Sequence, residues 1–217
     1  MDRRSLRYGH LAATVAILLM ALSGGCAALT GLAIMIKGTD QEPDFPGLKE
    51  KKVAVVCRPL VSLQYRNAGA ARDLAQQIGT LLQAKVPKIT VVDQQKVATW
   101  MDENTWDEFS EVGKAMKADI VIGVDLTSFG VLEGQTLYRG RASATIKVYD
   151  VEKKKTVWDK TMNQAVYPPN TAIPASDKPE NEFRREFVLV LADQIARHFY
   201  AHDPFADVGL DSKAGLP

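Results

Sequence analysis

The sequence predicts an α/β fold, a single three-layer-like sandwich in which helices pack on a mixed sheet. The chain has 217 residues, of which 46% are hydrophobic, enough for one sizeable core. Residues 112–129 read as a helix end running into an apolar, β-branched stretch, which is typical of a central buried strand. Residues 139–149 alternate apolar and polar side chains, as a half-buried antiparallel strand does. A parallel βαβ part followed by an antiparallel hairpin is therefore expected.

Charge and cysteine content exclude some classes of protein. The formal net charge is only +1 and the signs are well mixed, which argues against a nucleic-acid-binding surface. The two cysteines, Cys26 and Cys57, are too few for a disulfide framework, and their sequence contexts differ so much that they are not expected to pair. Each cysteine therefore needs its own explanation.

Residues 1–25 are predicted to be a signal peptide. Three arginines precede the apolar run 11–22, and small residues at 23–25 stand before Cys26. Residues 22–26 resemble the lipobox of bacterial lipoproteins, although Ser23 stands where a large aliphatic residue is usual. The resemblance implies that the Cys26 thiol carries a fatty acid such as palmitate and that cleavage makes Cys26 the first residue.

The alternative for this region is an uncleaved membrane anchor. Residues 27–36 are again nearly all apolar, so 11–36 has the length of one spanning helix. Either interpretation predicts a domain in the periplasm of a bacterial envelope, and the sequence does not indicate which membrane holds it. Residues 26–49 are then anchor and linker, because 38–47 has the composition of a linker.

The α/β domain is predicted over residues 50–202, and a disordered tail over 203–217. Its first half has parallel β–α–β order. The predicted elements there are a strand at 52–59, a helix at 67–85, a strand at 88–93, a short helix around Trp100, a helix at 107–117 and the central strand at 120–126. Its second half is predicted to hold a hairpin of strands 139–149 and 156–164, an irregular proline-rich loop at 168–179, and a helix at 180–201 with Asp177 as its cap.

The order of these elements, together with the pattern Gly-Lys-x-x-x-Ala-Asp-φ-φ-φ-Gly at 113–123 (φ is aliphatic), resembles a known module of bacterial envelopes. It is similar to the curli-secretion lipoprotein, the lipoprotein activator of penicillin-binding proteins and the amino-terminal domain of the Tol-system propeller protein. The resemblance covers about residues 50–165. It implies a small lipidated or secreted domain that contacts other envelope proteins and has no catalytic residues to transfer.

Few residues suggest chemistry. Cys57 paired with His198 or His202 would suit a thiol-dependent hydrolase, but a cysteine in an apolar strand more often packs as a small hydrophobe. The two histidines are four apart and would suit a metal site with Asp193 or Asp203, although solvated helix-end histidines are the better interpretation. Neither a metal nor another cofactor is expected.

The remaining candidates are carboxylates and aromatic residues. Asp125 and Asp150 lie near predicted strand ends, and a turn role is the simpler interpretation of Asp150. An exposed aromatic patch for a partner is predicted from three residues, with the equal alternative that the tryptophan only covers the hairpin. The three residues are Tyr149, Trp158 and Tyr167.

The function predicted from the sequence is that of a membrane-anchored envelope lipoprotein that acts as a non-enzymatic interaction or accessory module. Its expected partners are membrane lipid, through the N-terminal anchor, and another envelope protein. Two alternatives remain open: a ring-forming secretion or structural component, and the thiol hydrolase or metal-binding protein described above.

Overall fold

A computed structural model describes residues 40–59, 64–205, 207 and 210 and shows a mixed α/β fold, as the sequence predicted. Four helices pack on a mixed six-stranded sheet in this part of the chain. The strands are β1 (Lys52–Pro59), β2 (Thr90–Val91), β3 (Ile120–Glu133), β4 (Leu137–Asp150), β5 (Lys155–Tyr167) and β6 (Ile173–Pro174). The helices are α1 (Gln64–Lys85), α2 (Gln94–Glu103), α3 (Phe109–Met116) and α4 (Glu180–Ala196), the last continued by a 3-10 turn over Arg197–Phe199.

The strand order is β2-β1-β3-β4-β5, with β6 paired to the start of β4. β1 pairs in parallel with both β2 and β3, whereas β4 pairs antiparallel with β3, β5 and β6. β3 therefore lies in the middle of the sheet, which confirms the prediction of a central strand. The hairpin of β4 and β5 is also confirmed.

Helices cover both faces of β1 and β3. On one face, α1 and α4 enclose the larger core around residues such as Val55, Ile122 and Phe183. On the other face, α2 and α3 enclose a smaller core that contains Val56 and Val121. The continuous apolar runs of these two strands follow from burial on both sides.

Helix ends agree with local sequence in two cases and differ in one. The Asp93 side chain accepts a hydrogen bond from the backbone N–H of Lys96 and caps α2. A reciprocal capping box between Glu108 and Glu111 begins α3. At α4 the predicted cap is wrong, because Pro179 occupies the N-cap position and Asp177 lies outside the helix.

The lengths of three elements differ from the prediction. β2 is only two residues long, because the chain leaves the edge of β1 after Val92 and turns into α2. β3 continues past Gly130 to Glu133, since its long antiparallel pairing with β4 supplies partners there. The proline-rich loop includes β6, which pairs with the start of β4.

The segment before β1, for which the composition predicts a linker, has residues that pack on the domain. Leu48 is fully buried, and the Phe45 ring lies 6.2 Å from that of Trp158. The Phe45 N–H also donates to the His198 carbonyl over 2.9 Å. In the predicted disordered tail, Leu210 is buried at the edge of the same core.

The apolar segment at 11–36 and Cys26 lie outside the described residues. Within the described residues, every helix is too short or too polar to cross a membrane.

Candidate functional site

A groove opens along the outer edge of β1, between α1 and α2. It exists because β2 pairs only with Lys52 and Val53, so the second half of β1 has no neighbouring strand on that side within the described chain. The cavity there has a volume of about 570 Å³. We call it the β1 groove, and its lining residues are Val55, Val56, Cys57, Arg58, Pro59, Ala71, Arg72, Asp73, Ala75, Gln76, Gln94, Gln95, Val97, Ala98, Met101, Asp102 and Trp106.

The backbone of β1 presents hydrogen-bonding groups to this groove. The Lys51 carbonyl accepts a hydrogen bond from the Thr90 N–H over 3.0 Å, and the Val53 carbonyl accepts one from the Val92 N–H over 2.8 Å. The backbone N–H and carbonyl groups of odd-numbered β1 residues therefore point toward this outer edge. Because strand backbones alternate, the N–H and carbonyl of Cys57 and the carbonyl of Pro59 also face the groove. No described residue pairs with these three groups, whereas the Gln94 side chain donates to the Val55 carbonyl over 3.0 Å.

The groove has an apolar floor and a charged rim. Alanines of α1 and α2 lie on either side of the strand edge and leave room for a chain to approach. At the mouth, Arg72 and Asp102 form an exposed ion pair of 2.6 Å, which joins the two helices across the opening. Exposed ion pairs contribute little stability, about 0–1 kcal/mol, so this contact can open at low cost.

Arg58 fixes the end of β1 beside the groove. Its guanidinium pairs with Asp125 at 2.8 Å and donates to the Asp107 carbonyl at 2.7 Å. The same group lies 5.5 Å from the Trp106 ring centre and 4.9 Å from that of Phe109. These contacts hold a strand end that has no outer neighbouring strand among the residues the structure describes.

Asp125, one of the predicted acid–base candidates, is engaged in ion pairs. Its second oxygen lies 3.0 Å from the Lys147 amine, so the carboxylate bridges β1 and β4. Asp150 has the turn role that the sequence favoured, because it accepts the backbone N–H of Lys153 and pairs with the amine of that residue at 2.7 Å. These hydrogen bonds lower the pKa of Asp150.

Cys57 is buried, with 6% of its surface exposed, and belongs to the core between the sheet and α1. Burial raises the pKa of its thiol, and the charge of Asp125 acts in the same direction. Within the described residues, neither His198 nor His202 contacts it. A nucleophilic thiolate is therefore strongly disfavoured at this position.

The two histidines lie at the end of α4, where each has its own partner. Nδ1 of His198 is 2.9 Å from an Asp44 oxygen, and its ring lies against Trp158. Burial lowers the pKa of His198, as does the charge of Lys160, while Asp44 opposes the change. Nδ1 of His202 is 3.3 Å from the Tyr200 carbonyl. In the described part of the chain, no three metal-binding side chains come together.

The structure does not bring the three predicted aromatic residues into one patch. Tyr149 lies on the face of the sheet that carries α2 and α3. Trp158 and Tyr167 lie on the opposite face, where Tyr167 is buried against Phe183 and Trp158 packs on the segment before β1. A role of any one of them in partner binding stays a prediction.

The fold places the chain among mixed α/β domains, with helices on both faces of the parallel half of the sheet. No family model and no curated protein matches it. Several solved structures are similar to this chain. The PelC dodecamer from Paraburkholderia phytofirmans is similar with 14% identity and a TM-score of 0.46, over 76% of this chain and 100% of that one. Lipoprotein GNA1162 from Neisseria meningitidis is similar with 14% identity and a TM-score of 0.39, over 67% and 97% of the two chains.

A third similar structure is the LpoB C-terminal domain from Salmonella enterica, with 12% identity and a TM-score of 0.37, over 55% of this chain and 84% of that domain. GNA1162 is named as a lipoprotein, and a resemblance to folds of bacterial lipoproteins is what the sequence predicted. Similarity at this level concerns the fold alone, so the function has to be argued from the residues of this chain.

Sequence reasoning missed the β1 groove. The apolar pattern of residues 88–93 correctly indicates a strand, but strand pairing ends after two residues because Asp93 caps α2. The cap was visible in the sequence as an aspartate just before a helical pattern. The cap opens the edge of β1 only because β2 pairs with β1, and that pairing is a tertiary contact that the sequence pattern does not show.

Proposed function

We propose that this protein is a membrane-anchored envelope lipoprotein whose periplasmic domain binds an extended segment of another envelope protein in the β1 groove, without catalysing a reaction. The observation that carries the proposal is the outer edge of β1, where no described residue pairs with the outward backbone groups of Cys57 and Pro59. An extended chain that adds to a free edge gains main-chain hydrogen bonds, and pockets beside the edge select its side chains.

The dimensions of the groove suit such a ligand. From Val55 to Pro59 the strand advances about 13 Å, at about 3.3 Å per residue, which matches four or five residues of an added strand. The alanines at 71, 75 and 98 keep the helices from filling the space beside the edge. Small alternating side chains on the ligand would fit this floor.

The other free edge is less suited to pairing. β5 is the last strand of the order, and no described strand pairs with its outer side. Register shifts at two places in its pairing with β4 bend it, and Lys155, Asp159 and Lys160 place charges along it. Bulges and charges discourage edge pairing, so we assign the partner to β1 and not to β5.

The anchor is proposed from the sequence of residues 11–26, with Cys26 as the acylated residue. Acyl chains contribute about 0.8 kcal/mol per buried methylene group, so several chains would hold the protein on a membrane. Growth with a fatty-acid probe is expected to label the protein, and Cys26→Ser is expected to remove the label. Labelling that persists in Cys26→Ser would refute acylation at that residue and would leave an uncleaved membrane anchor.

Site-specific photo-crosslinking in the native envelope tests the groove. A photoreactive amino acid at Gln76 or Gln95, which are exposed residues of the groove, is expected to give a discrete adduct. The same amino acid at Ala84 or Arg185, which are exposed on α1 and α4 away from the groove, should give none.

A groove-filling variant decides whether the adduct reports the groove. Ala98→Trp places an indole in the cavity and is expected to reduce the adduct at Gln95 at least tenfold while the urea unfolding midpoint stays the same. Adducts of equal yield at Gln76 and Ala84, or an adduct unaffected by Ala98→Trp, would refute the proposal.

The ring-forming alternative has a direct test. Light scattering of the detergent-solubilised full chain gives its mass, and a mass of many protomers that survives dilution would favour a ring. The thiol-hydrolase alternative would require a reactive Cys57, whereas its burial and raised thiol pKa predict slow alkylation in the folded state.

A further inference from the structure

One end of the sheet concentrates lysines, and we call it the basic end. Its four segments, 49–52, 85–88, 114–119 and 150–155, hold ten lysines and four carboxylates, a formal charge of +6, whereas the whole chain carries +1. The remainder of the protein is therefore acidic. The lysines are Lys49, Lys51, Lys52, Lys85, Lys88, Lys114, Lys117, Lys153, Lys154 and Lys155.

Strand register brings these segments together, although they are far apart in the sequence. Lys52 at the start of β1 pairs with Thr90 at the start of β2, and the next residue of β1 pairs with Ile120 at the start of β3. Ile120 in turn pairs with Asp150 at the end of β4, next to the turn that leads into β5. The residues just outside these strand ends consequently share one end of the sheet.

Most of these lysines are available to a ligand. Within the described residues, Lys88 pairs with Glu50, Lys153 pairs with Asp150, and the Lys52 amine donates to the Met116 carbonyl. The other seven are exposed and form no ion pair or side-chain hydrogen bond with any described residue. These seven are Lys49, Lys51, Lys85, Lys114, Lys117, Lys154 and Lys155.

The backbone at this end gives a second observation. Positive φ angles occur at Lys88 (57°), Lys117 (49°), Lys154 (54°) and Glu50 (61°), and these are the non-glycine residues with that conformation in the described chain. All four lie at the basic end. Glycine or asparagine adopts this conformation at lower cost than lysine. Three exposed lysines therefore occupy positions where glycine or asparagine would cost less.

The segment before β1 reaches the basic end from the side of β5, where Asp44 pairs with Lys160 over 2.6 Å. β1 begins at the basic end, and the residues before it pack beside it, with the Lys51 N–H donating to the Leu48 carbonyl over 3.2 Å. The predicted anchor at 11–36 precedes this segment directly in the sequence. Only residues 37–48 separate the predicted anchor from the first lysine of the basic end in the sequence.

We propose that the basic end docks on anionic phospholipid headgroups of the membrane that holds the anchor. This inference rests on the proposed membrane attachment but not on the β1 groove. Its basis is charge complementarity, because a lysine near an anionic surface strengthens binding by roughly fivefold. The β1 groove begins at the second half of β1, away from this end, so docking leaves it open to a partner.

Lysine labelling of the full chain in vesicles tests the docking. The chain is reconstituted through its N-terminal segment into vesicles of phosphatidylcholine, with or without about 30% phosphatidylglycerol, and treated with a water-soluble amine reagent. In the anionic vesicles we expect at least threefold less labelling of Lys51, Lys85 and Lys114, and recovery at about 0.5 M salt, where the Debye length is short. Labelling of Lys96, an exposed residue of α2, should not change.

A charge variant that keeps the backbone gives the matched comparison. Lys117→Asn with Lys154→Asn removes two charges, and asparagine tolerates their left-handed conformation, so folding should be retained. We expect this variant to lose most of the protection at Lys51 and Lys85. A control with Lys96→Gln and Arg185→Gln removes the same charge elsewhere and should keep the protection.

Three outcomes would overturn the proposal. The first is equal lysine labelling in both kinds of vesicle. The second is protection of the lysines that persists both in high salt and in the lysine variant. The third is protection of the lysines by soluble polyglutamate but not by anionic vesicles. The last would assign the basic end to an acidic macromolecule. An unacylated Cys26 leaves the test intact, because the apolar N-terminal segment also inserts without a fatty acid.

Discussion

The parallel and antiparallel halves of the sheet differ in how many faces are covered. Helices pack on both faces of β1 and of the first half of β3, so side chains pointing either way are buried. In β4 only one face is buried, against α4, and the alternate residues on the other face, such as Arg141 and Thr145, remain half-buried.

The strand β3 shows the difference within one element. Gly123 and Gly130 both lie on the face that carries α3, but a Cβ at Gly123 would meet the Phe109 ring at 2.5 Å, while a Cβ at Gly130 would have no neighbour within 4 Å. Glycine is therefore required by close packing at Gly123, whereas at Gly130 a larger side chain would meet no neighbour. Coverage by helices, and not strand identity, decides what each position tolerates.

The largest expected effect concerns the cores of the two halves. Phe109→Ala removes a ring between β3 and α3, and Phe187→Ala removes one between β4 and α4, where it stacks on Phe129 at 5.3 Å. Each substitution should reduce the free energy of unfolding by about 3–5 kcal/mol. Urea unfolding followed by tryptophan fluorescence measures both. A cost below about 1 kcal/mol at either position would show that its half lacks the core described.

A smaller effect is expected at the glycine under α3. In Gly123→Ala the new methyl group has to displace the Phe109 ring, because 2.5 Å is closer than real contacts allow. Overpacking of this kind costs about 1–3 kcal/mol. The same unfolding measurement should show the loss, and its absence would mean that α3 moves freely on the sheet.

The matched change at Gly130 should do the opposite. Its backbone does not need a positive φ and its Cβ would meet nothing, so Gly130→Ala should stabilise the protein by roughly 0.5 kcal/mol through the unfolded chain. A loss as large as that of Gly123→Ala would indicate that something covers this face of the antiparallel half.

The smallest expected effect is a pH dependence where the N-terminal segment meets β5. Burial lowers the pKa of His198 below its ordinary value of 6.5, so the unfolded chain binds a proton that the folded protein does not. The stability that this histidine contributes is therefore present above about pH 6.5 and is lost as the pH falls below it. His198→Gln should reduce the loss of unfolding free energy between pH 7 and pH 5.5.

Leu189→Gln is the control for that measurement, because it places the same new side chain at an exposed position of α4. It should leave the pH dependence of stability as it is in the parent protein. Equal pH dependence in the parent and in His198→Gln would show that Asp44 offsets the burial of His198 completely.

Much of the fold follows from patterns within the sequence. The apolar runs of β1 and β3 and the alternation in β4 report burial on two faces or on one, because a strand repeats every two residues. The helical stripe of α1 is a similar local signal. Elements that depend on distant partners were predicted less well, such as β6, which exists only through its pairing with Leu137 and Tyr138.

The site was not predictable in the same way. The sequence singled out Cys57, the two histidines and three aromatic residues by type, and the structure separates them onto different faces and ends. The β1 groove and the basic end arise instead from residues that are ordinary by themselves, such as alanines and lysines. Their significance depends on strand register and on where β2 stops.

The sequence by itself determined the class of fold, the central strand and the predicted membrane anchor, because hydrophobic periodicity and a run of apolar residues are local properties of the chain. Tertiary structure alone decided which strand edge is left open and which lysines share one end of the sheet. The physical reason is that hydrogen-bond pairing and charge summation act between residues that are close in space, whatever their distance along the chain.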